Sequence, residues 1–251
     1  MIVAIWGRDG TGKSTLADAL AQRLTNGSRS LVALIDTDLT QPTLPVRLPL
    51  VSHPPEASLG RVLSGVGTQE PALYLRQHPK VGTLFVAGLA AGDDLLAYEL
   101  GLSAHEAAGR FVASLSHVDH IVLDVSGQRT DPFLMVALQM ADTLLLPFAA
   151  DPQGVCWWEA VQPLLERTNA TAKVLPVLSR VRPYQDVDAT LKASGLWPSK
   201  ATIPVLPYSR EIDALHTGGE TTIQSTGNGR AWNRLVNELH RKLTTNGGET
   251  S

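Results

Sequence analysis

The sequence predicts an α/β fold: one domain over residues 1–243, built on a mostly parallel, twisted sheet of about seven strands with helices on both faces, followed by a polar tail at 244–251. Three observations lead there. Short apolar runs recur along the chain and are separated by stretches with helical apolar spacing, the pattern of alternating strands and helices. The runs are continuous rather than alternating with polar residues, as expected of parallel strands covered on both faces. The length of 251 residues suits one large domain, and neither an internal repeat nor a low-complexity linker divides it.

Taken in order, strands are expected at 2–6, 31–35, 83–87, 120–123, 143–148, 173–178 and 202–206. Between the first two, Leu16, Ala17, Leu20, Ala21 and Leu24 form one helical stripe. A second runs through Ala104, Ala108, Phe111, Val112 and Leu115. Residues 41–55 hold Pro42, Pro45, Pro49, Pro54 and Pro55, which remove backbone donors and predict a loop. Gly- and Thr-rich 217–229 predicts another. At the end, Ala231, Trp232, Leu235, Val236, Leu239 and Leu243 share a helix face, with Arg234, His240, Arg241 and Lys242 elsewhere on the same helix. That helix either closes on the sheet or lays a basic amphipathic face on an anionic surface.

Composition excludes several classes. Lys plus Arg is 21 against 24 Asp plus Glu, a net charge of -3, which argues against a dedicated polyanion binder. Cys156 is the single cysteine, so neither an intrachain disulfide nor a thiolate cluster within one chain can form. The N-terminal run lacks a basic flank, and no stretch approaches the ~20 apolar residues that span a bilayer. A cytoplasmic location is the expectation.

The most specific signal follows the first strand. Gly7, four residues, then Gly12, Lys13 and Ser14 match the phosphate-loop spacing, in the strand-to-helix setting that the motif requires. Glycines at 7, 10 and 12 let backbone N–H groups turn toward phosphate oxygens, and the following helix adds its positive end. The loop, from Gly7 through Arg8, Asp9, Gly10, Thr11, Gly12, Lys13 and Ser14 to Thr15, is therefore expected to bind a nucleotide, ATP, with Mg²⁺. Lys13 would reach the β and γ phosphates and the Ser14 hydroxyl would meet the metal. Two carboxylate segments stand at strand ends, where open parallel sheets bind ligands. One is Asp36-Thr37-Asp38; the other is Asp124, followed by Gly127.

These residues resemble the ParA/MinD family of ATPases, including its pilus-assembly members. The loop is similar to that family's deviant Walker A motif, KGGxGK followed by Ser or Thr, with Arg8 in the place of the first lysine and Asp9 in the place of a glycine. The resemblance implies an ATP-sandwiched homodimer in which Arg8 reaches the partner's phosphates; as a bare pair of loop charges, Arg8 and Asp9 could equally pair with each other. It implies that Asp38 polarises the attacking water, and that Asp36 and Asp124 join Ser14 around magnesium. Ser179 stands where the family carries an adenine-contacting asparagine, with Arg180 beside it; Pro207 and Tyr208 lie in a loop that flanks the base. As a turn cap, Asp36 has an ordinary structural role open to it. The implied activity is a slow, partner-stimulated ATPase that positions a cargo such as a plasmid, division or pilus component. Weak contact with DNA or membrane through the last helix would place it peripherally at nucleoid or membrane. A small-molecule phosphotransferase and a nucleotide-binding scaffold with negligible turnover are the alternatives.

Overall fold

The structure is a computed structural model; it describes residues 1–25, 29–39, 55–65, 70–90, 103–196, 203–210 and 227–246. The two loops expected at 41–55 and 217–229 lie largely outside these residues, as does most of the polar tail.

Eight strands form one sheet: β1 (Ile2–Trp6), β2 (Val32–Asp36), β3 (Arg76–His78), β4 (Val81–Ala87), β5 (His120–Val125), β6 (Thr143–Ala149), β7 (Val174–Val181) and β8 (Val205–Pro207). Their order is β3-β4-β2-β5-β1-β6-β7-β8. All pairs are parallel except β3 with β4. The seven expected strands are present with small shifts, and β3 is the addition. Its three residues, Arg-Gln-His, carry no apolar run, because an edge strand need not be apolar.

Helices α1 (Lys13–Leu24), α2 (Leu59–Leu63), α3 (Ala104–Ser114), α4 (Pro132–Met140), α5 (Pro152–Arg167), α6 (Val187–Ala193) and α7 (Gly227–Asn246) connect and cover the sheet. The period-2 geometry of a strand divides the core into two layers. Val3, Ile5, Val32 and Leu34 face α1 and α7, joined by Leu16, Leu20, Trp232, Val236 and Leu239. Ala4, Trp6, Ala33 and Ile35 face the opposite way, toward Phe111, Phe133, Leu138 and Trp158 from α3, α4 and α5. Continuous apolar runs are thus what a sheet covered on both sides demands.

The last helix closes the sheet. Trp232, Val236, Leu239 and Leu243 are buried in the α1 layer, and the Trp232 indole donates to the Pro207 carbonyl at 3.1 Å. Those apolar side chains are therefore not presented to a surface. Arg234 and Arg241 remain exposed on the outer face. Among the described residues no helix is long and apolar enough to cross a membrane.

Two strand ends differ from the expected ones in a way that matters for the site. The strand expected at 120–123 continues to Val125, so Asp124 is inside it. That expected at 173–178 continues to Val181, bringing in Ser179 and Arg180. Adjacent strands extend to these positions: Asp124 lies in register with Asp36, and Ser179 with Ala149.

Candidate functional site

The site is assembled at the carboxyl ends of β1, β2 and β5. Register fixes its layout: Ile5 pairs with Asp124, and Asp124 with Asp36. One residue beyond β1 the chain turns into the loop 7–12 and then α1. Gly12 caps α1 with φ 81°, a left-handed conformation that a side chain would strain. Thr11 braces the turn, its hydroxyl donating to the Arg8 carbonyl at 2.7 Å.

Lys13 is the first residue of α1 and is only 7% exposed. Its ammonium lies 3.0 Å from Asp9 Oδ1 and 3.3 Å from the Arg8 carbonyl. Both oxygens belong to the loop itself. The Asp9 side chain is 69% exposed, so solvent screens this pair and an arriving anion can compete for it. Arg8 is held by a different group: its guanidinium donates to the Gln153 side chain in the first turn of α5. Of the two open readings for Arg8, a pair with Asp9 is not what forms; Lys13 takes that carboxylate.

Asp9 also touches the segment after β5. A Cβ built on Gly127 would stand 2.4 Å from Asp9 Oδ1, the far end of a flexible side chain, and 3.2 Å from the Asp9 backbone nitrogen, so the two segments lie close together here. A larger residue at Gly127 would have to displace the Asp9 carboxylate.

Asp36 and Asp124 are 2% and 3% exposed on neighbouring strands. Asp36 Oδ1 accepts from the Asp38 backbone N–H at 3.1 Å, a cap that coexists with any role toward metal. Asp38 is half-buried. Ser14, one residue along α1 from Lys13, is half-buried as well. Two buried carboxylates and a hydroxyl at the carboxyl end of the sheet offer hard oxygens of the kind magnesium takes. Among the described residues no group of three or more His, Cys, Asp and Glu gathers that could hold a metal ion.

Asp131 was not expected at the site. It caps α4, with Oδ1 accepting from the Phe133 N–H at 2.8 Å. Its Oδ2 accepts from the Thr37 hydroxyl at 2.7 Å and from the Ser126 N–H at 3.2 Å. Burial raises its pKa from the ordinary 3.8 to about 6, with the nearby Asp38 charge adding to the rise and the three hydrogen bonds opposing it. The Asp-Pro pair at 131–132 is readable as a helix start, but the reach to Thr37 exists only in the folded chain.

Beside the loop, a cavity of about 370 Å³ is lined by Arg8, Gly10, Thr11, Ala149, Asp151, Arg180, Arg182, Tyr184 and Gln185. A smaller one, about 290 Å³, is lined by Arg182, Pro183, Tyr184, Tyr208 and Arg210. Arg180 has φ 54° at a bulge in β7, donates to the Gly10 carbonyl at 3.1 Å and lies 5.5 Å from the Tyr208 ring. Arg182 stacks on the same ring at 4.8 Å. The four residues expected near a base thus separate: Arg180 and Tyr208 line these spaces. Ser179 is 1% exposed with its hydroxyl toward the Phe148 carbonyl, and Pro207 offers its carbonyl to Trp232.

Comparison with solved structures identifies the architecture. The chain aligns over 98% of its length, and 96% of the other chain, with an ATP complex of McdA from Cyanothece, at TM-score 0.73 and 20% identity. It aligns over its full length with the septum site-determining protein MinD from Pyrococcus horikoshii complexed with Mg-ADP. That match has TM-score 0.73 and 17% identity, and covers 98% of the other chain. The chain has the fold of the ParA/MinD ATPases. A ParA family ATPase from Chlorobium tepidum matches at TM-score 0.72 and 15% identity, over 96% of this chain and 98% of that one. No protein-family model matches the sequence, and no curated protein matches it significantly.

Two outcomes test this geometry. Asp9→Asn removes the loop's own anion from Lys13 without changing its size, and is expected to tighten ATP binding by about two- to fivefold, the screened worth of one exposed ion pair. Titration calorimetry at two salt concentrations measures it, and the gain should shrink at high salt. The second concerns pH. Because native Asp131 holds its proton more tightly than the unfolded chain does, its contribution to stability grows as pH falls through about 6 toward 4 and is absent above that window. A shift of this size is on the order of 3 kcal/mol. Thermal melts from pH 7.5 to 4.5 should therefore show wild type gaining Tm relative to Asp131→Asn as the pH is lowered.

Proposed function

We propose that the protein is a Mg²⁺-ATP-dependent dimerisation switch of the ParA/MinD type, turning over ATP slowly until a protein partner stimulates it, and positioning a cellular cargo. The observation that carries this reading is the buried Lys13 at the start of α1, beside the in-register carboxylates Asp36 and Asp124. A fold shared with proteins solved with ATP and with Mg-ADP supports the nucleotide assignment.

In this reading the Lys13 ammonium leaves Asp9 for the β- and γ-phosphate oxygens, while the loop amides of residues 7–15 wrap the phosphates. Ser14, Asp36 and Asp124 hold the magnesium ion, directly or through water. When bound, the metal supplies charge neutralisation on the phosphates. Asp38 accepts a hydrogen bond from the attacking water and orients it in line with the γ-phosphate. The base sits in the space bordered by Arg180 and Tyr208, where a guanidinium and a ring can flank it. Arg8 exchanges Gln153 for phosphate, of its own nucleotide or of the facing subunit's. Its fixed fork suits that contact better than a lysine would. ATP between two subunits then makes dimerisation depend on the nucleotide, and hydrolysis relaxes the segments after β2 and β5. The exposed Arg234 and Arg241 of α7 supply too little charge for strong autonomous DNA binding, so cargo is reached mainly through a protein partner.

Size-exclusion chromatography with a slowly hydrolysed ATP analogue tests the proposal. Wild type should shift from monomer to dimer, and Lys13→Ala should remain a monomer with nucleotide affinity reduced at least a hundredfold. Dimerisation of Lys13→Ala equal to wild type sinks the switch. The scaffold reading with negligible turnover is favoured by Asp9 on Lys13; Mg²⁺-dependent phosphate release that is abolished in Asp38→Ala removes it.

A further inference from the structure

Asp131 is a helix cap placed where a cap should not be needed so deeply. Asp151 and Asp186 cap α5 and α6 on the same chain, each with one oxygen on the backbone N–H three residues ahead, and neither is buried. Asp131 satisfies α4 with Oδ1 alone. Its second oxygen adds nothing to the helix. It is spent on Thr37 and Ser126, one residue past Asp36 and two past Asp124, the two buried strand-end aspartates, and Asp131 is only 8% exposed. Burying an ionised carboxylate is costly, as the rise of its pKa to about 6 reflects, so three short contacts around it indicate an arrangement that helix capping does not require.

We infer that Asp131 and Thr37 form a latch that positions Asp38, tying the segment after β2 to the segment after β5 and to the start of α4. The inference rests on the proposed role of Asp38 in orienting water.

The geometry is specific at each link. Thr37 N–H donates to the Asp124 carbonyl at 3.1 Å, which extends the β2–β5 pairing one residue past Asp36. The Thr37 hydroxyl has one proton; its 2.7 Å contact with Asp131 is shorter than its 3.2 Å contact with the Asp124 carbonyl, so the carboxylate takes it. The same hydroxyl accepts from the Ser126 N–H at 3.2 Å. Thr37 is fully buried. With Thr37 held from both its backbone and its side chain, and the Asp38 N–H held by Asp36, the chain direction at Asp38 is set before any substrate arrives. A displacement of α4 would release Oδ2 from Thr37 and let Asp38 move. Positioning of this kind acts on the rate of the chemical step more than on nucleotide binding, because Lys13 and the loop lie outside the latch.

Thr37→Val deletes the hydroxyl at nearly constant volume, and Thr37→Ser restores it. The latch predicts that Thr37→Val lowers kcat for Mg²⁺-ATP hydrolysis about tenfold or more, the worth of one hydrogen bond to a buried charge. The Kd for a fluorescent ATP analogue should stay within about twofold of wild type, and Thr37→Ser should recover most of the rate. Without nucleotide, amide exchange at Thr37, Asp38 and Ser126 should be faster in Thr37→Val than in wild type. Three results overturn the latch: wild-type kcat in Thr37→Val while Asp38→Ala abolishes turnover, loss of kcat and nucleotide affinity together, or unchanged exchange at those amides. If Asp38→Ala instead keeps wild-type turnover, the role assigned to Asp38 fails, and the exchange rates alone decide whether the tie exists.

Discussion

A lysine ammonium buried at the positive end of a helix must have an anion. Lys13 is in that position, and an unpaired buried cation would cost several kcal/mol. The loop supplies Asp9 from within its own turn, four residues back, together with the Arg8 carbonyl. That choice propagates. Asp9 in this place stands against Gly127, so the loop and the segment after β5 are close to each other before any ligand is present. A phosphate that takes Lys13 competes with Asp9 for it, and a move of Asp9 is felt at Gly127.

The opposite side of the balance is set by strand register. Parallel pairing of β1, β5 and β2 places Asp124 and Asp36 side by side, one residue from the point where β1 turns into the loop. Two buried carboxylates cannot approach each other at low cost without positive charge nearby. Lys13 and the α1 N-terminus are the sources within the site. Site and fold are therefore one electrostatic problem: the sheet concentrates negative charge at the end where the loop concentrates positive charge.

Much of this was legible before folding. The seven apolar runs fall on seven of the eight strands, because strands covered on both faces leave an unbroken apolar signal; β3 lacked it as an edge strand. The strand-loop-helix setting of residues 7–15 and the strand-end placement of Asp36, Asp38 and Asp124 were readable because their spacing is local, set by the few residues of a strand end and a turn. Asp131, Gln153 and Arg182 were not. Each acts on a residue far away in sequence, Thr37, Arg8 and Tyr208 respectively, and only the sheet order brings the partners together. Ser179 illustrates the converse: its position in the sequence matched a base contact, but β7 runs three residues past the expected end and turns its hydroxyl toward β6.

The contacts around the loop differ in what a phosphate can replace. Asp9 and Gln153 present acceptor oxygens on flexible side chains to Lys13 and Arg8, and a phosphate oxygen, more highly charged than either, competes directly for those donors. The Gly10 carbonyl, which receives Arg180, belongs to the backbone turn and cannot swing away without unwinding it. Arg180 is in turn fixed by a left-handed bulge in β7 and by the Tyr208 ring. One side of the loop is thus built to exchange partners and the other to stay. The anchored side holds the loop's register, and the exchanging side can take up a change in charge without disturbing the sheet.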